Sequence, residues 1–234
     1  MTAALITGGT SGIGRATAEL LHERGWQVAV TGRGAPRGPL PDGVLALAAD
    51  ARSLEDTEAA IATVKERFGA LHLVFLNAGV SRPAPLGDVD EAQFDDQVAV
   101  NFRGQYFTLQ RALPLLADGG AVVFTVGSGV AHGIPGGTLT AATRGALLAL
   151  VPSLALELAP RGIRVNAVSP GAIDTPIWDG LPAEIREGVA AKVPFGRFGE
   201  PSEIAETVAF LASDGAAYIT GQHIEVAGGS GLGA

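Results

Sequence analysis

A chain of 234 residues, 47% hydrophobic and 17% charged, is long enough to bury one substantial core, and α/β folds of this size often form a single domain, here 1–234. No 20-residue apolar stretch is free of charges and of Gly or Pro breaks, which argues against a membrane span, and a net charge of −8 with scattered arginines argues against nucleic acid or an acidic membrane as partner. With zero cysteines, disulfides and thiolate metal sites are excluded; His22, His72, His132 and His223 show no metal-ligand spacing, so no metal is expected.

The opening Ala3–Thr7 runs from a start with no charged leader straight into a Gly-rich turn. It predicts a first strand rather than a signal peptide, and cytoplasmic location is the default expectation. Ile13–Arg24 then has helical periodicity, Gln27–Thr31 and Leu45–Ala48 are strand-like, Leu54–Phe68 is helical and Leu71–Leu76 is an apolar strand. The second half continues with Phe94–Leu116 as helix, Ala121–Val126 as strand, Leu139–Leu158 as helix, Arg164–Val168 as strand, Ser202–Leu211 as helix and His223–Val226 as strand. This alternation predicts an α/β fold, a Rossmann-like doubly wound parallel sheet with helices on both faces. The strands are nearly continuous in apolar residues, as buried parallel strands are.

Three features interrupt the rhythm. Gly34–Gly43, rich in proline and glycine, predicts a loop and a thinly covered sheet edge. The stretch at about 172–200 predicts a substrate lid around a short amphipathic piece, Ala183–Lys192, because loops after strand carboxyl ends surround the ligand crevice in such sheets. Trp178, Ile177, Phe195 and Phe198 within it suit an apolar pocket wall or plain lid packing equally. Pro152 sits deep in a predicted helix, where proline removes a hydrogen bond and bends the axis at a cost of about 3 kcal/mol.

Thr7-Gly-Gly-Thr-Ser-Gly-Ile-Gly14 follows a strand and opens a helix, the setting in which a Gly-rich motif binds dinucleotides. Gly8 permits the tight turn, Gly12 lets backbone approach a pyrophosphate, and Gly14 allows close packing of helix on strand. Thr10, Ser11 and Ile13 complete the loop, whose amides and helix dipole favour an anion.

This T-G-x-x-x-G-x-G pattern resembles the short-chain dehydrogenase/reductase family, and the likeness extends over nearly the whole chain. Asn77-Ala-Gly79 resembles the family's N-A-G, Asn101 in Val-Asn-Phe-Arg-Gly its catalytic-helix Asn, and Ser128 its active-site Ser. Ser169-Pro170-Gly171, with Ile173 and Thr175, resembles its nicotinamide-side motif. Tyr218-Ile-Thr-Gly-Gln222 also resembles the family's ending, although Ala227 stands where an acidic residue precedes the final glycine pair. The resemblance implies that Gly79 and Asn77 line the cofactor, that Asp50 with Ala51 meets the adenine, and that the protein is a homodimer or homotetramer acting on a small molecule. Asp50 can alternatively cap the helix near Leu54.

NAD-preferring relatives carry an acid at the end of the second strand. Here Gly32-Arg33 stands there, and a guanidinium offers forked, charge-assisted donors to a 2′-phosphate. NADP(H) is therefore expected over NAD(H), against the alternative that Arg33 is a solvated loop arginine.

The same resemblance aligns the family's Tyr with Thr140 and its Lys, one helical turn on, with Arg144, which can still bind the cofactor by hydrogen-bonding the nicotinamide ribose as the family's Lys does. Thr140 lies 12 residues after Ser128, one fewer than usual. Tyr106 and Tyr218 lie elsewhere. A Thr hydroxyl stays un-ionised in water and Arg cannot join a proton relay as Lys does; losing a positioned acid forfeits roughly 10²- to 10⁴-fold in rate. His132 offers a replacement acid or base, or is an ordinary loop histidine. Alternatively the substrate needs no proton from the protein, as with a protonated imine or a conjugated system stabilised by Ser128, Thr140 and Arg144. The sequence thus predicts an NADP(H)-dependent oxidoreductase with a modified site. The alternative is a cyclase, an isomerase or a catalytically inactive NADP-binding protein on the same scaffold.

Overall fold

The computed structural model describes residues 1–232. Seven parallel strands, β1 (Ala3–Thr7), β2 (Gln27–Gly32), β3 (Leu45–Ala48), β4 (Leu71–Leu76), β5 (Leu116–Thr125), β6 (Arg164–Pro170) and β7 (His223–Val226), form one sheet in the order β3-β2-β1-β4-β5-β6-β7. The chain winds outward from β1 in one direction and from β4 in the other. The reversal between them opens a crevice at the strand carboxyl ends.

Helices α1 (Gly12–Glu23), α2 (Leu54–Phe68), α3 (Glu91–Val98), α4 (Gln105–Ala112), α5 (Gly129–His132), α6 (Thr138–Leu158), α7 (Ala183–Ala190) and α8 (Pro201–Ala212) complete the fold. Alternate strand residues serve opposite faces. Leu5, Val74, Val122 and Phe124 pack with Val64, Leu109, Leu147 and Val151 on the α2, α4 and α6 side. Ile6, Phe75 and Val123 pack with Leu21, Ile204 and Val208 on the α1 and α8 side. Each fully buried Leu, Ile, Val or Phe stabilises the fold by about 1.5–3 kcal/mol, which explains why the strands carry apolar residues on both faces.

The expected helix at Phe94–Leu116 is corrected. α3 begins earlier, Ala99–Gly104 is a π-turn, α4 ends at Ala112, and a 3₁₀ turn at Leu113–Leu115 leads into β5, which starts at Leu116. A π-turn inserts one residue into the helical register. Here it carries Asn101, whose side chain is committed to Val80 and Thr143. Asp50 does not cap α2: Ser53 does, its Oγ accepting from Asp56 N–H at 3.0 Å.

Gly34–Gly43 has neither helix nor strand, and β3 alternates half-buried with exposed residues, an edge with little cover. α6 runs unbroken through Pro152, which lies on its exposed side. By length and composition the stretch Thr138–Arg161, mean hydropathy 1.5, could cross a membrane. Its Leu139, Leu147, Val151, Ala155 and Leu158 are buried instead, spaced to form one face against the sheet. The opposite face is apolar and open, with Leu156 79% exposed.

Candidate functional site

At the crevice the turn after β1 closes on backbone rather than side chains. Gly8 and Gly12 have φ of +65° and +51°, the left-handed region that glycine enters without penalty. Gly14 is tight for a different reason: a Cβ there would lie 2.7 Å from Asn77 Nδ2 and closer still to the Gly8 carbonyl oxygen. Asn77 fixes the turn from β4. Its Nδ2 donates to the Thr7 and Gly8 carbonyls at 3.2 and 3.4 Å, and its Oδ1 accepts from Thr125 Oγ1 at 3.0 Å. Thr7 Oγ1 accepts from the Asn77 and Ala78 amides in return. Three strand ends are thereby held in register at the mouth of the cleft.

The cleft measures about 300 Å³. Gly8, Thr10, Ser11, Gly12 and Ile13 form its floor, Arg33, Asp50 and Ala51 one side, Asn77 and Gly79 the centre, and Thr175 the far wall. Gly14, Arg144, Pro170, Gly171 and Ile173 do not line it. Gly14 lies behind the turn. The Pro170 carbonyl accepts from Ser128 N–H at 3.0 Å, Gly171 abuts Ala227, and Ile173 lines a separate cavity of about 240 Å³ with Val193, Phe195 and Arg197.

Charge around the cleft is uneven. Arg33 is exposed, lines the cleft and has no ion pair among the described residues. Asp50 is held below the usual carboxylate range chiefly by hydrogen bonds from the Arg52 side chain, opposed in part by desolvation. Outside the residues that line the cleft, Arg37 from the loop after β2 pairs with Asp179 from the segment after β6 at 2.6 Å. Arg15 on α1 holds that same loop by donating to the carbonyls of Arg37 and of Pro39, the latter at 2.8 Å.

Deeper along α6, Thr140 Oγ1 donates to Gln97 Oε1 at 2.7 Å and lies 3.4 Å from Ser81 Oγ. Gln97 is fully buried and its Nε2 has no partner among the described residues. Asn101, also fully buried, accepts from Val80 N–H at 2.8 Å and donates to the Val80 carbonyl and to Thr143 Oγ1, at 2.9 and 3.1 Å. It ties the end of β4 to α6. Arg144, one turn beyond Thr140, donates to the Thr125 carbonyl at 2.6 Å and lies over Gly79, where a Cβ would fall 2.6 Å from its Cζ. Ser128 is half-buried, with a hydroxyl engaged by no side chain or backbone group of the described residues.

His132 is drawn the other way. Its Nε2 faces both carboxylate oxygens of Glu225 on β7, at 3.1 and 3.2 Å, and its ring packs on Gly231. Glu225 and Gln97 were the partners hardest to anticipate. A glutamine in the buried phase of α3 was the available signal for Gln97; nothing local marks Glu225. Among the described residues there is no cluster of acids and histidines that could hold a metal.

Comparison with known proteins matches this arrangement over nearly the full chain. Residues 8–230 match the family described as Enoyl-(Acyl carrier protein) reductase. The chain is 39% identical over 237 residues to the 3-oxoacyl-[acyl-carrier-protein] reductase FabG of Staphylococcus aureus, spanning 97% of this chain and 96% of that protein. It is 34% identical to the Thermotoga maritima protein of the same name, spanning 96% of each. Among solved structures, a 3-ketoacyl-(acyl-carrier-protein) reductase from Brucella melitensis complexed with NADH superimposes with a TM-score of 0.90 at 30% identity, over 98% of each chain.

Proposed function

The chain belongs to the short-chain dehydrogenase/reductase family, and from that premise we propose that it is an NADP(H)-dependent oxidoreductase in which Thr140 and Arg144 stand at the family's Tyr and Lys positions. The observation that carries this reading is the cleft itself: a glycine-walled turn at a helix N-terminus, at the reversal of strand order, with Arg33 on its rim and without an ion pair among the described residues. The residues fit a dinucleotide. A Cβ at Gly12 would meet Thr175 Cγ2 at 3.2 Å and narrow the passage between turn and far wall.

A bound nicotinamide dinucleotide supplies the hydride. In this reading the α1 amides hold the pyrophosphate, Arg33 the 2′-phosphate, Asp50 and Ala51 the adenine, and Asn77 and Gly79 the central portion. Pro170, Gly171, Ile173 and Thr175 support the nicotinamide side from β6 and the segment at about 172–200, which serves as the substrate lid. Ser128 orients the reacting group with its free hydroxyl, and Asn101 acts by holding Val80 and α6 in place. Thr140 cannot ionise as a tyrosine does, and its proton is directed into Gln97. The substrates that suit such a site are a protonated imine or a conjugated system, with an activated carbonyl as the least suited. The exposed apolar side of α6 is the surface for a homodimer or homotetramer.

The commitment of Thr140 to Gln97 favours one second reading: a protein that binds NADP(H) without redox turnover, whether inactive or a cyclase or isomerase. NADPH absorbance with a panel of ketones, imines and enones separates the two. The wild type is expected to consume NADPH with an imine or enone, and Thr140→Tyr/Arg144→Lys to gain ketone reduction. Cofactor binding without oxidation by any of the panel, together with ketone turnover in the double variant, sinks the redox reading of the wild type.

A further inference from the structure

Two side chains of β7 hold the segment that carries Ser128, one at each end. β7 is an edge strand of the sheet, and its alternate residues His223 and Glu225 stand in register with Ala167 and Ser169 of β6, on the α6 side. Ser169 is fully buried; its Oγ accepts from Gly127 N–H at 3.3 Å and shares a hydrogen bond with His223 Nε2. Gly127 immediately precedes Ser128. Glu225 meets the other end, its two carboxylate oxygens lying 3.1 and 3.2 Å from Nε2 of His132, the last residue of α5. Between these points the segment has little of its own to fix it. Five glycines stand among residues 127–137, and Gly127, Gly133 and Gly136 have φ of +121°, +70° and +75°, so the backbone is permissive and contacts from outside select its path.

We propose that His223 and Glu225 are positioning residues for Ser128: β7 clamps residues 127–132 at both ends and so sets where the free Ser128 hydroxyl points. This rests on the oxidoreductase reading above only in giving Ser128 contact with the substrate. Ser128 itself makes backbone bonds alone, its N–H donating to the Pro170 carbonyl at 3.0 Å and its carbonyl accepting from the Ala131 and His132 amides at 3.1 and 3.3 Å. Those bonds close a single turn, and one helical turn does not hold itself in water. The Ser169–His223 contact anchors the entrance to that turn and the Glu225–His132 contact its exit. The entrance is tied through a buried hydroxyl, whereas the exit is tied by a partly exposed pair that salt screens, which makes the exit the looser end. The imidazole of His132 is thereby an anchor for α5, turned toward β7.

Amide hydrogen exchange of Ser128 in the intact protein, read by NMR, tests this without requiring turnover, because none of the variants touches the bond from Ser128 to Pro170. His223→Leu and Ser169→Ala are expected to speed that exchange roughly 5- to 10-fold, and Glu225→Leu by up to about fivefold. Glu225→Gln, which keeps an acceptor for His132 Nε2–H, is expected to hold near wild type. Glu206→Leu, which removes the exposed pair with Arg24 on the other side of the sheet, leaves Ser128 unchanged. With whichever imine or enone the wild type reduces, kcat is expected to fall in His223→Leu and Glu225→Leu by a similar factor while KM for NADPH holds. Should Ser169→Ala fail to fold, His223→Leu carries the test of that end. Ser128 exchange that is unchanged in the variants of either end overturns the clamp, as does a loss of Tm with exchange and kcat both unmoved, which marks a merely structural role. NADPH left unconsumed by the wild type while Ser128 exchange responds at both ends counts against the redox reading alone.

Discussion

Replacing Gly14 by alanine tests whether the contact between α1 and the first turn sets the shape of the cleft. Gly14 is helical and does not need a left-handed backbone, so alanine costs nothing in conformation and gains up to about 1 kcal/mol of helix propensity. Sterically the new Cβ would lie 2.7 Å from Asn77 Nδ2 and 2.9 Å from the Gly8 carbonyl carbon, about 1 Å inside ordinary separation. Neither neighbour is the free end of a long side chain. The turn must move off the helix, and Asn77 loses one or both bonds to Thr7 and Gly8, about 1 kcal/mol each. Overpacking of this kind costs about 1–3 kcal/mol, which for a domain of this size lowers Tm by about 2–10 °C. Because the displaced amides line the cleft, NADPH affinity is expected to fall by more than about tenfold. Thermal unfolding without ligand and titration of NADPH fluorescence measure the two effects. Gly25→Ala is the control: φ is +82° in open space, so backbone strain lowers stability by about 1 kcal/mol while cofactor affinity holds. A Gly14→Ala protein with wild-type Tm and wild-type NADPH affinity refutes the reasoning.

Arg33→Ser is expected to weaken NADPH roughly 10- to 100-fold and NADH little, checked by titrating both. Asn101→Leu leaves the Val80 amide and carbonyl without their side-chain partner and should cost about 2–4 kcal/mol in urea unfolding; a loss below about 1 kcal/mol would show that the π-turn does not depend on it. Glu203, held at about 2 against an ordinary 4.5 by Arg197 and the Glu200 amide, contributes stability that is full above pH 4.5 and is lost as pH falls toward 2. Being partly exposed, that contribution is small and screened by salt. Glu203→Gln should flatten this part of the acid limb of a Tm–pH profile, and an unchanged profile contradicts it.

Much of the frame was legible in the sequence because parallel strands buried on both faces carry an unbroken apolar signal, and because the turn after β1 needs glycine at particular places for stated steric reasons. What escaped was set by contacts distant in the chain. The π-turn at Ala99–Gly104 hides within a helical periodicity, since one inserted residue barely disturbs the apolar spacing; Asn101 is committed there to Val80, 21 residues away. The start of β5 at Leu116 is invisible because Leu113–Leu116 suits a helix equally well. Thr140 could be placed by register, but its bond to Gln97 joins residues 43 apart. Ser53, immediately before α2, caps it instead of Asp50 three residues earlier, because its Oγ is the one that reaches the Asp56 amide.

The Arg37–Asp179 pair ties together two loops that belong to opposite halves of the sheet, one leaving β2 and the other leaving β6. While the pair holds, neither loop is displaced without the other or without breaking the contact. Exposed pairs of this kind are worth up to about 1 kcal/mol, enough to change the rate at which the two loops part by up to about fivefold. The tie between the two loops therefore loosens as ionic strength rises, even where the interior of the cleft is unchanged.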